Sequence, residues 1–105
     1  MTIKLYLQGN IQNLMRGCGY RFERMDDKTR EMVFIRAIEG ASASGYPRFH
    51  IYLKQDDVSH ETFINLHLDQ KKPIYQGSAA HSGEYDGGLV EQEANRIKKI
   101  LGPVA

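Results

Sequence analysis

His50 and His67 lie in the runs RFHIYLK and FINLHLD, where apolar and polar residues alternate, so both imidazoles belong to the polar side of a sheet. Two histidines in unlike surroundings can serve as general base and general acid. With Lys54 or Lys71 to stabilise charge on a phosphorane, they would make a metal-free phosphodiesterase. Joined by His81 and by Asp69 or Glu84, the same pair becomes an N/O donor set for zinc or another transition metal. Neither HExxH nor paired CxxC is present, so that metal set rests on convergence of His50, His67 and His81 alone.

A second use of these residues breaks no bond. Arg48, His50, Tyr52, Lys54, His67, Asp69, Lys71, Lys72, Tyr75 and His81 would line a polar face and an adjacent loop suited to an anionic ligand such as RNA or a phosphorylated small molecule. In the stretch DQKKPIYQGSAAHSGEYDGG the lysines would attract an anion, Tyr75 and Tyr85 would stack, and the glycines would let backbone amides approach. A third use is that of a protein-binding adaptor working through a sheet edge or the side bearing Phe63. The bland alternative is that the histidines make structural hydrogen bonds beneath a loop. The sequence places a small binding domain first and a hydrolase using His50, His67 and His81, with or without metal, second.

Other chemistry lacks its motif. GxGxxG, the P-loop and GxSxG are absent, and no cofactor is expected. The only cysteine, Cys18, has no disulfide partner in the chain and falls at a helix end, where it should be packed rather than reactive. With 14 Lys+Arg against 13 Asp+Glu, the net charge of +1 gives no global field, so any nucleic-acid binding must come from a local patch. No apolar run approaches the ~20 residues of a membrane span, and the first residues do not resemble a signal peptide. The expectation is a cytoplasmic protein with no membrane partner.

The elements that would position these residues follow from periodicity. Residues 2–7 alternate as a strand; Asn10 caps a short helix with Ile11, Leu14, Met15 and Cys18 on one face, and Gly17 and Gly19 suit its exit. YRFERM and MVFIRAI flank the polar turn DDKTR as a hairpin, and residues 40–45 read as a mobile loop. The hairpin of RFHIYLK and FINLHLD admits a register with His50 opposite His67, Arg48 opposite Asp69 and Tyr52 opposite Asn65. After a long connection, residues 73–88, a closing helix is expected beyond Gly87 and Gly88, with Leu89, Val90, Ala94, Ile97, Ile100 and Leu101 toward the sheet. Glu93 falls inside that apolar arc and needs a basic partner or backbone donors, with His81 preferred. No repeat is apparent. At 105 residues, the chain should form one α+β domain: an antiparallel sheet of four or five strands, with a short N-terminal helix and a C-terminal amphipathic helix packed on one face.

Overall fold

A computed structural model describes residues 1–38, 45–70 and 78–102, with side chains in the last segment described from residue 88 onward. Five strands, β1 (Thr2–Tyr6), β2 (Arg21–Met25), β3 (Met32–Ala37), β4 (Arg48–Gln55) and β5 (Glu61–Asp69), join two helices, α1 (Ile11–Gly17) and α2 (Ser78–Leu101). All neighbouring strands are antiparallel, in the order β1-β5-β4-β3-β2. The fold is α+β, and both helices bury their apolar residues with the same face of the sheet.

Alternation builds that face. Ile3, Leu5, Phe34, Phe49, Ile51, Leu53, Ile64, Leu66 and Leu68 point inward and meet Ile11 and Met15 of α1 and Val90, Ala94 and Ile97 of α2. α2 lies over β5 and β1, while α1 packs against β2. Asn10 caps α1 by accepting from Asn13 N–H at 2.9 Å. At the other end Tyr20 and Cys18 N–H both reach Met15 O, and Gly19 turns the chain at φ +90°.

The closing helix departs from expectation at its start. It begins at Ser78 and runs through Gly83, Gly87 and Gly88, so much of the expected connection is helical. Each glycine inside a helix costs about 1 kcal/mol against alanine, which weakens a helix without ending it, and no proline interrupts the segment. The terminator is Gly102, whose N–H meets Lys98 O at 2.7 Å and where a Cβ would collide with that carbonyl. Ile100, expected toward the sheet, is 47% exposed because it lies on the flank of the buried stripe.

Glu93 is buried, as the helix period requires, and it has the basic partners that its position demands, together with a tyrosine that the sequence does not point to. Tyr20 donates to its Oε2 at 2.6 Å, Arg96 Nε and Nη2 donate to its two oxygens at 2.8 Å each, and Arg36 stands 3.6 Å away. Arg96 also donates to Cys18 O at 2.6 Å, so the cluster ties α2 to the exit of α1. The side chain of His81 lies outside the described residues.

A repeat that the sequence reading misses joins the hairpins. DDKTRE, between β2 and β3, and DDVSHE, between β4 and β5, form the same turn. In each, the first aspartate accepts from two backbone N–H groups, at 2.9 and 3.0 Å for Asp26 and 2.8 and 2.9 Å for Asp56. A hydroxyl, from Thr29 or Ser59, accepts from the following glutamate N–H. Arg30 and His60 both take φ 64° and close the turn on the aspartate carbonyl. Six residues with three differences escape a search for longer periods.

Candidate functional site

The sheet face away from the helices carries the predicted polar residues, arranged in rows by the strand registers. His50 pairs with His67, Arg48 with Asp69 and Tyr52 with Asn65, the expected register. Reading across the strands, one row runs His67, His50, Ile35, Arg21 and the next runs Thr2, Asn65, Tyr52, Val33, Arg24. A third row sets Phe63 between Lys4 and Lys54. Val33 and Ile35 are buried under their polar neighbours, so the centre of this face has an apolar floor.

β2 contributes through an irregularity. Its register shifts between Phe22 and Arg24, so Phe22 and Met25 pair with Phe34 and Met32 of the helix-bearing side while Arg24 pairs with Val33. Glu23 and Arg24 consequently stand together on the polar face, 3.6 Å apart. The sequence signal is the spacing of Phe22 and Met25 by three rather than two, which strict alternation forbids.

His50 is held between two carboxylates. Its Nδ1 lies 2.9 Å from Asp69 Oδ2 and its Nε2 4.0 Å from Glu23 Oε1. Nε2 is buried without a hydrogen-bond partner. The same Asp69 oxygen also meets Arg48 Nε at 3.5 Å, and the Arg48 guanidinium lies 4.6 Å over the ring of Tyr46. With Nδ1–H donating to Asp69, the lone pair of neutral His50 sits on Nε2, the arrangement of a general base; but that atom faces Glu23 rather than solvent.

His67 is the accessible imidazole. Burial, followed by the charge of the Met1 amino group and that of His50, lowers its pKa below the ordinary imidazole value against the opposing pull of Asp69. It has no hydrogen-bond or ion-pair partner among the described residues. The Tyr52 ring, in the next row, lies near both imidazoles, 4.9 Å from His50 and 6.1 Å from His67 between ring centres. Phe63 and Tyr6 are 42% and 55% exposed on the same face. Lys4 pairs with Glu61 at 3.0 Å, whereas Lys54 has no carboxylate partner among the described residues.

The structure thus brings together Arg48, His50, Tyr52, His67 and Asp69, with Lys54 two rows away. Lys71, Lys72 and Tyr75 lie outside the described residues, and so do the side chains of His81, Glu84 and Tyr85. Among the described residues no three His, Cys, Asp or Glu side chains gather as metal ligands, and no helix is long and apolar enough to cross a membrane. Glu23, Arg21, Arg24, Lys4 and Phe63 join the face without having been singled out as ligands from sequence. Compared with known protein families, curated proteins and solved structures, the chain matches none.

Proposed function

We propose that this protein binds single-stranded RNA on the sheet face away from its helices. The observation that carries the reading is the row Lys4, Phe63, Lys54, in which an exposed ring is flanked in register by two cations. Tyr52 and His67 extend the aromatic path along the sheet, and Arg21 and Arg24 lie on its β2 side. Unpaired bases stack on such rings while lysine and arginine meet the phosphates, and neither contact requires a particular sequence. A phosphorylated small molecule would use the cations but leave the row of rings without a task. His50, whose Nε2 is covered, supports the face and does not touch the ligand.

The test is titration of a fluorescent oligouridylate into the protein at two salt concentrations, with wild type, Phe63→Ala and Lys54→Ala. Loss of a stacked base should weaken binding by about 1–3 kcal/mol in Phe63→Ala. Lys54→Ala should weaken binding and flatten its salt dependence by about one phosphate contact. A duplex should bind more weakly, because its bases are already stacked on one another. Salt-independent binding, or equal affinity of wild type and Phe63→Ala, would remove the reading.

A further inference from the structure

We propose that His50 is a proton-operated positioning residue, whose charging releases Arg24 and Arg48 to the RNA phosphates. The proposal rests on the RNA reading above and concerns the regulation of the same face. Its basis is the sharing of two carboxylate oxygens. Glu23 Oε1 lies 3.6 Å from Arg24 Nη1 and 4.0 Å from His50 Nε2, while Asp69 Oδ2 lies 3.5 Å from Arg48 Nε and 2.9 Å from His50 Nδ1. Each oxygen is thus placed between the imidazole and one arginine.

Neutral His50 satisfies only one of the two. Its Nδ1–H donates to Asp69, and the lone pair on buried Nε2 points toward another anion with no donor between them. In that state Glu23 is left to Arg24. A proton on Nε2 supplies the missing donor, so the imidazolium bridges β5 to β2, donates to both carboxylates and adds one positive charge that competes with the two arginines for them. The guanidiniums keep their charge and lose their competitors for a phosphate.

Of the other charged groups near the ring, Arg24, Arg48 and His67 repel the added charge, while the two carboxylates that face the imidazole attract it. β3 presents only Val33, Ile35 and Ala37 to this face, β2 adds Arg21, and β5 adds His67. Arg21 has no ion-pair partner among the described residues and remains available in both states. His67, kept below the ordinary imidazole value chiefly by burial, titrates at lower pH than an exposed histidine. RNA binding and proton uptake are therefore linked: each must favour the other by the same factor.

The experiment measures oligouridylate affinity at about pH 8 and about pH 6, the span in which an imidazole changes charge. Proton uptake is read by calorimetry in buffers of different ionisation heat. Wild type should bind about fivefold or more tightly at the lower pH, within the usual range of coupling between linked sites, and should take up a proton. His50→Gln should bind with one affinity at both values and take up none, while His67→Gln should keep the response at lower affinity throughout. Glu23→Gln frees Arg24 and removes one of the two carboxylates that face the imidazole, so it should bring the affinity at high pH toward that of wild type at low pH and shrink the response to pH, which covers the case of a poorly folded His50→Gln. RNA binding that is flat with pH, or a response that survives in His50→Gln, overturns the switch alone. Absence of binding at both values overturns the RNA reading and the switch with it.

Discussion

Tyr20 and Glu93 stand 73 positions apart in the chain, and the tyrosine hydroxyl donates to the carboxylate at 2.6 Å in the interior. Burial, followed by this bond, raises the tyrosine pKa, so the phenol keeps its proton and acts as a donor. Glu93→Ala should destabilise the fold by about 3 kcal/mol, because it strands the buried Tyr20 hydroxyl and takes the carboxylate from the partly buried Arg96. Glu93→Gln should cost less, about 1–2 kcal/mol, since an amide still accepts one of the bonds. Urea midpoints for the two variants decide the matter, and equal, negligible changes would show that the cluster contributes nothing.

Gly19 protects the same cluster. It holds φ +90°, and a Cβ there would come within 3.1 Å of Arg36 Nε. Gly19→Ala should therefore strain the backbone and displace a cation that faces Glu93, with a loss of about 1–2 kcal/mol in thermal or chemical unfolding. Gly17, whose Cβ would meet nothing, is the control and should tolerate alanine.

The twin turns invite a gain. Arg30 and His60 both occupy left-handed backbone at φ 64°, where a Cβ is disfavoured. Arg30→Gly should stabilise the protein by about 0.5–1 kcal/mol after allowance for the freer unfolded chain, and His60→Gly should do the same. Lower melting temperatures for both would mean that their side chains contribute more than the backbone strain removes.

Acid should unfold the protein in two stages. The His67 pKa is lowered on folding, so the unfolded chain takes up a proton that the folded chain resists, and stability falls as pH drops below the ordinary imidazole range. Burial alone would raise the Glu93 carboxyl; bonds from Arg96 and Tyr20 and the charges of Arg96 and Arg36 outweigh it and hold it below its ordinary value. Backbone N–H groups of Thr29 and Lys28 do the same for Asp26, and those of Ser59 and Val58 for Asp56. These carboxylates stabilise the fold above the ordinary carboxyl range and lose that contribution as pH falls through their folded values. Unfolding midpoints against pH should show an early decline that is absent in His67→Gln and a later one that persists.

Much of the sheet was legible because a period of two in β4 and β5 leaves one way to bury Phe49, Ile51, Leu53, Ile64, Leu66 and Leu68, and the hairpin fixes the pairing of His50 with His67. β2 was less so: a bulge changes which side chains share a face without changing composition, and Glu23 came to the site by that route. The start of α2 is not legible, because its glycines resemble stops although helix interiors tolerate them at moderate cost. Glu93 was placed correctly by the helix period; its partner Tyr20 was not, since nothing local in the sequence says which strand end a helix will cross.

Chain order and sheet order disagree at β1, and this has a kinetic consequence. The β2–β3 and β4–β5 hairpins close over short turns, but β1 has no partner until β5 exists, and Ile3 pairs with Ile64. Loop-closure entropy makes that pairing late, so the hairpins should nucleate and the first strand should dock last. A chain emerging from the ribosome would hold Ile3, Leu5 and Leu7 unburied for most of its synthesis. Conservative truncations there, such as Ile3→Val, should speed unfolding and leave refolding almost unchanged, whereas truncations at Ile51 or Leu66 should slow refolding.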